Sequence, residues 1–346
     1  MNEPIYLDNH TETKLCRAAI ECWNSLPLSS QTDFLYDLVN AQKEDLFFFT
    51  SSGAEAIQQV YWSVFLEVSR KEGKCHFLTT NLEDASTLLG MKRLEELGCF
   101  IKTANYCDLT NLINPRTALV SISLAQGLTG IIHPLEEISK ICKEKGVLLH
   151  VDVTYAVGKL PLNLDLADYL TFSGDRMHGP KSSGALFAKA GKPLVPLILG
   201  KTIDYASLAA LNAAAQQAKL SMMRMGLEIA RLRNRFEQAI LEEVPGSSLL
   251  FSDPLRLPNV ALLSFPLFHQ EALLYALRKK NIQATIGGTV HSHLHRLLTA
   301  AGCNERIGAS TISFALSRYT TSEEIEEAIK RTIEAARSLE PCASHL

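Results

Sequence analysis

A chain of 346 residues, 47% of them hydrophobic and 21% charged, has the make-up of a globular protein with a substantial core in one large or two moderate domains. Its formal net charge of -3 gives no electrostatic case for nucleic acid or an anionic membrane surface as the main partner. The opening MNEPIYLDNH has no basic segment leading into an apolar one, and no apolar run nears the roughly 20 residues of a membrane span, so the expected compartment is the cytoplasm. Eight cysteines (Cys16, Cys22, Cys75, Cys99, Cys107, Cys142, Cys303 and Cys342) include no Cys-x-x-Cys pair, which points to reduced thiols rather than a disulfide framework or a zinc finger.

In chain order, LFFFT at 46–50 reads as a buried strand and 54–68 as the helix after it. Residues 76–80 are strand-like, and 85–97 carry apolar residues at helical spacing up to a stop at Gly98. Strands are expected at 100–104 and 118–124. Pro134 then opens a helix with acids in its first turn and lysines in its last, closed by Gly146. Residues 147–153 are nearly all apolar, the pattern of a strand covered on both faces. This alternation predicts a mostly parallel sheet between helices. A long helix over 208–243 follows, then strands at 260–265, 282–286 and 311–316. Helices are expected at 270–280, near 291–301 and at 321–339, the last opened by the capping sequence Thr-Ser-Glu-Glu. There is no internal repeat or low-complexity tract.

The chemistry-bearing frame lies in the run HVDVTYAVGKLPLNLDLADYLTFSGDRMHGPKSSGALF over residues 150–187. Asp152 ends a buried strand. Ser173-Gly174-Asp175-Arg176 comes about two dozen residues after His150-Val151-Asp152, followed by Gly179-Pro180-Lys181. Ser51, Ser52 and Gly53 open the first large helix, where backbone N–H groups and hydroxyls suit an anion.

Together with Tyr6-Leu7-Asp8-Asn9, the phosphate-loop-like run from Phe49 to Glu55 and the closing run from Phe314 to Thr321, these ordered motifs resemble the cysteine desulfurases. Those NifS-like proteins are pyridoxal-phosphate enzymes of the class V aminotransferase family, and the likeness extends over almost the whole chain. It implies the fold-type I PLP-dependent transferase fold. That is an α/β architecture with a large domain over 14–226, its mostly parallel sheet flanked by helices, and a small α+β domain made of 1–13 and 227–346. It also implies a homodimer.

The resemblance assigns cofactor-binding positions to Ser52, Gly53, Ala54, Gln126, Asp152, Tyr155, Ser173 and Asp175. Asp152 matches the carboxylate that pairs with the pyridinium nitrogen so that the ring stays an electron sink. Ser173 matches a phosphate-contacting serine. Tyr155 stands for a glutamine that donates to the ring's phenolic oxygen, and Gln126 keeps one amide of an Asn-Asn-Glu turn.

The catalytic positions are all changed. Arg176 replaces the Schiff-base lysine, and a guanidinium that stays protonated cannot attack an aldehyde. Asp84 replaces the histidine stacked on the ring, Ser313 the arginine that grips the substrate carboxylate, and Val290 the cysteine that receives sulfur. Ala54 and Ala206 replace two threonines of the phosphate site. Cys303 is 13 residues beyond Val290, and Lys181 matches a lysine that forms no Schiff base in the family.

No metal site is expected, although His291, His293 and His295 include an i, i+4 pair that can share a helix face. The function expected is that of a desulfurase homologue with neither covalent cofactor nor desulfurase activity, associating with an active desulfurase or an iron–sulfur assembly protein. The alternatives are retained desulfurase or aminotransferase activity, and an enzyme that holds pyridoxal phosphate or another phosphorylated ligand noncovalently in a rebuilt site.

Overall fold

Seven short segments rich in apolar and β-branched residues build the main sheet: β1 Leu46–Thr50, β2 His76–Thr80, β3 Phe100–Ala104, β4 Thr117–Ser123, β5 Leu148–Asp152, β6 Tyr169–Ser173 and β7 Gly184–Ala188. The structure is a computed structural model and describes residues 3–27, 31–252, 255–288 and 293–339. The strand order is β1-β7-β6-β5-β4-β2-β3. Strand β7 runs antiparallel to both β1 and β6, and every other pair is parallel. Strands β4 and β7 are buried along their whole length, as strands covered on both faces are.

The helices that cover this sheet begin and end where the residues dictate. They are α1 Arg17–Asn24, α2 Asp33–Val39, α3 Gly53–Val64, α4 Ala85–Glu96, α5 Leu135–Lys145 and α6 Tyr205–Leu220. Helix α3 is capped by the Ser52 side chain, which accepts from the Glu55 N–H at 3.1 Å. Helix α5 carries Glu136 and Glu137 in its first turn and Lys143 and Lys145 in its last, and Gly146 closes it at φ 62°. Four polar side chains in and against the sheet are linked in one buried line. Tyr61 Oη lies 2.8 Å from Ser121 Oγ, Ser121 Oγ 2.8 Å from His150 Nδ1, and His150 Nε2 2.8 Å from Thr171 Oγ1. Burial lowers the His150 imidazole to about 3, so it is a neutral structural link.

The chain divides into two compact units. One is Thr13–Ala125 with His133–Leu220; the other is Met1–Glu12, Gln126–Ile132 and Ser221–Leu346. Where the sequence reading ran the large domain unbroken over 14–226, the larger unit leaves out Gln126–Ile132 and ends at Leu220.

In the smaller unit, Val260–Ser264 pairs antiparallel with Thr311–Ala315 and with Ser248–Leu249, and Ile5–Tyr6 lies parallel to Ile282–Gln283. Its longer helices are α7 Ala230–Glu243, α8 Gln270–Lys279, α9 Leu294–Ala300 and α10 Ser322–Arg337. The capping box at α10 is formed: Thr321 Oγ1 accepts from the Glu324 N–H at 3.2 Å, and Glu324 accepts from the Thr321 N–H at 2.9 Å.

Two expectations change. The single helix over 208–243 is broken at Ser221 and passes through a π-helical turn, Met225–Ile229, that contains Gly226, a poor helix former. The strand over 282–286 stops at Gln283, because the chain turns at Gly287 with φ 86° and Thr285 instead exchanges backbone bonds with Ser313.

Candidate active site

The candidate site stands where strand ends converge in the larger unit. The register sets Thr50 of β1 opposite Gly184 of β7, and Gly184 opposite Ser173 of β6. It also sets Ser123 of β4 beside Asp152 of β5, so the carboxyl ends of the parallel strands meet the start of β7. Open α/β sheets present ligand sites at this edge. Two glycines permit the close approach. A Cβ on Gly184 would fall 2.4 Å from the carbonyl carbon and oxygen of Ser52, and one on Gly53 would fall 3.0 Å from Ser173 Cβ.

Around this edge the side chains form one network. Asp152 is buried, and its Oδ1 accepts from the Thr154 hydroxyl at 2.6 Å and the Thr154 N–H at 3.0 Å. Thr154 Oγ1 accepts in turn from the Ser173 N–H at 3.1 Å. Burial, with nearby Asp84 adding to it, pushes the Asp152 carboxyl up to about 6 against the Thr154 bonds and Arg176. Ser173 Oγ donates to Asp175 at 2.7 Å, and Asp175 pairs with the Arg176 guanidinium. Arg176 lies over the Tyr155 ring, 5.7 Å from its centroid. The Tyr155 hydroxyl is hydrogen-bonded to Asp84, and burial and then Asp84 raise it well above its ordinary range. Asp84 stands at the N-terminus of α4, yet its side chain does not cap the helix. Burial opposes charge on Arg176, but Tyr155, Asp175 and Asp84 outweigh it and hold the guanidinium protonated.

Three members of this network escaped the sequence reading. Glu83 is 1% exposed and accepts from the Thr80 hydroxyl at 2.7 Å and from the Ser123 N–H at 3.1 and 3.0 Å. Burial pushes its carboxyl up to about 7, with Asp152 contributing in the same sense. Thr154 had a legible signal, since a hydroxyl two residues after an aspartate favours a side-chain turn. Glu83 had only its place beside Asp84, and Ser123 only its place at a strand end.

Of the expected site residues, Ser52, Gly53, Asp84, Asp152, Tyr155, Ser173, Asp175 and Arg176 all lie along this edge of the larger unit. Ala54 is exposed in the first turn of α3. Ser51 is engaged with Glu55 at 2.5 Å, and Lys201 pairs with the same carboxylate at 2.6 Å. Gln126 and Ser313 belong to the smaller unit. The Gln126 side-chain oxygen accepts from the N–H groups of Leu128 and Thr129 at 2.7 and 2.9 Å, stapling its own turn. Ser313 is 0% exposed; its hydroxyl donates to the Leu128 carbonyl at 2.6 Å and lies 2.9 Å from His10 Nε2. Val290 and His291 lie outside the described residues. His293 accepts from the His295 N–H at 3.3 Å and caps α9. Lys181 is exposed.

A seven-stranded, mostly parallel sheet with a buried aspartate at the end of a central strand and a serine-opened helix beside it defines the fold-type I class of pyridoxal-phosphate-dependent transferases. The chain belongs to the class V aminotransferase family, whose model it matches over residues 34–220 (Aminotransferase class-V), and within it to the NifS-like cysteine desulfurases. It is 30% identical over 382 aligned residues to a cysteine desulfurase of Nostoc sp., covering 97% of this chain and 94% of that one. It is 32% identical to a mitosomal cysteine desulfurase of Trachipleistophora hominis, over 88% of this chain and 74% of that one. Among solved structures, a NifS-like protein superposes with a TM-score of 0.86 at 24% identity, covering 96% and 98% of the two chains. The NifS-like protein of Rickettsia africae gives 0.81 at 21%, covering 96% and 99%.

Pyridoxal phosphate is the cofactor of this family, and the residues of the network fit its covalent attachment poorly. Its cation is a guanidinium, which forms no imine. Lys159 Nζ is turned to the Arg176 carbonyl oxygen at 3.2 Å. The Ser173 hydroxyl, which would meet a phosphate, is given to Asp175, and Asp84, Asp152 and Asp175 act on the same guanidinium, so a phosphate would have to displace the Asp175 contact.

Proposed function

We propose that this chain is a cysteine desulfurase homologue that neither carries pyridoxal phosphate covalently nor releases sulfur from cysteine, and that it works by association. The partner class is an active desulfurase or another protein of iron–sulfur assembly, with a homodimer as the ground state and the cytoplasm as the compartment. The reading is carried by Arg176: at the place the resemblance gives to the lysine, a guanidinium is held by Asp175 and packed on Tyr155. The changes at Asp84, Ser313 and Val290 support it, because they remove a stacking ring, a carboxylate-gripping cation and a thiol in one chain. Groups that act as a unit are not additive in their removal, so the loss of any one of them already removes most of the activity the set supports.

One observation favours a second reading. Arg176 Nε is buried with no hydrogen-bond acceptor among the described residues, so a small phosphorylated ligand held noncovalently would satisfy it. Incubating the full chain with cysteine and pyridoxal phosphate, and measuring sulfide against free cofactor, tests the first reading. The expected result is release at the free-cofactor background. Turnover that depends on the folded protein overturns it.

A further inference from the structure

At the end of the sheet away from the candidate site, Cys75 and Cys99 each stand one residue ahead of a strand, β2 and β3 respectively. These strands are parallel, with His76 opposite Phe100, and the Phe100 N–H donates to the Cys75 carbonyl at 2.9 Å. Carrying the register back one residue sets the two cysteines opposite each other across neighbouring strands, which lie about 4.8 Å apart. Disulfides span Cα separations of about 4.4–6.8 Å. Side chains alternate along a strand, so Cys75 shares its face with Phe77 and Cys99 shares its face with Ile101. The matched register makes these the same face, and Phe77 and Cys99 lie in one buried cluster with Ile101 packed against it. Both thiols are free. They are within electrostatic reach, since burial and then Cys75 push the Cys99 thiol up to about 11.

We infer that Cys75 and Cys99 form a redox-modification site, a dithiol that a peroxide closes to a disulfide. Half-buried Cys75 meets the oxidant, and Cys99, 5% exposed, resolves the product. In the first step the Cys75 thiol takes one oxygen from hydrogen peroxide, giving a sulfenic acid and water. In the second, Cys99 sulfur attacks Cys75 sulfur, the S–O bond breaks, and the hydroxyl leaves as water with the Cys99 proton.

Two features ease closure. Strand β3 is last in the sheet and is bonded on one side only, so of the two strands it is the freer to adjust. Each cysteine also follows a left-handed glycine turn, Gly73 at φ 74° and Gly98 at φ 89°, with open space around both. The bridge would join the ends of the segment that carries α4 and Asp84.

The test uses the full chain, reduced, freed of reductant, treated with hydrogen peroxide, then alkylated and mapped without reduction. The expected product is a Cys75–Cys99 linked peptide pair that dithiothreitol separates and that Cys75→Ser abolishes. Phenylarsine oxide, which bridges paired thiols, should protect both cysteines from alkylation in the reduced chain, and Cys99→Ala should remove the protection of Cys75. Full alkylation of both cysteines after peroxide overturns the inference, as does Cys75 recovered as an unbridged sulfinic acid. Neither result depends on whether the chain releases sulfide.

Discussion

Glu83 and Asp152 bring two carboxyl groups to the ends of β2 and β5 with almost no access to water, and each is neutralised more readily there than in an unfolded chain. The sign of the consequence follows from linkage. A carboxyl whose folded value lies above its unfolded one binds more protons in the native state between the two, so stability falls as pH rises through that window. For Glu83 the window runs from its ordinary 4.5 to about 7, a penalty on the order of 3 kcal/mol that is complete above it. Glutamine keeps an acceptor for the Thr80 hydroxyl and the Ser123 N–H but does not titrate. The Glu83→Gln variant should therefore lose less stability than the parent between about pH 5 and pH 8, as urea-unfolding midpoints would show. Parallel pH profiles for the two proteins would mean that Glu83 is ionised throughout.

The network of Asp84, Tyr155, Asp175 and Arg176 was partly legible as residue types. A permanently charged guanidinium beside carboxylates predicts an ion pair, and Asp175 supplies it. What single residues could not reveal was the direction of each side chain. Asp84 occupies the N-cap position of α4, yet its side chain leaves the helix uncapped and is hydrogen-bonded to the Tyr155 hydroxyl.

Among the elements, periodicity located β1, β2, β3, α4 and α5 almost to the residue, because each has a sharp physical stop, as with Gly98 and Gly146 at positive φ. Strands β6 and β7 were not foreseen. They sit in the motif-rich run 150–187, where Gly, Ser and Pro spacing speaks of the site rather than of the sheet. The break at Ser221 was hidden because the apolar pattern continues through it. The junction of β7 with the helix-opening loop yields a sharp prediction. Gly184→Ala would drive a methyl into the Ser52 backbone at 2.4 Å, and neither the ladder to β1 nor the ladder to β6 can give way. We expect a loss of about 2–4 kcal/mol, read as a lower unfolding midpoint. A variant as stable as the parent would show that this edge of the sheet is looser than its register implies.

For the molecule as a whole, fold and activity separate. Ordered motifs at compatible spacings specified the architecture, because a sheet, its helices and its turns depend on many residues that tolerate substitution singly. Activity rests on a handful of groups, so a chain can keep this scaffold whatever stands at the few positions that carry the chemistry. Restoring the lysine alone should restore function only in part. Arg176→Lys supplies an amine beside Asp152 and Ser173, while Asp84 and Asp175 favour its charged form and Val290 supplies no thiol.

The most direct test is therefore intact-mass analysis after borohydride reduction in the presence of pyridoxal phosphate, on the parent chain and on Arg176→Lys side by side. The account predicts no reduced cofactor adduct on the parent beyond that of a denatured control, and an adduct on the variant that maps to position 176. A stoichiometric adduct on any lysine of the folded parent would contradict it.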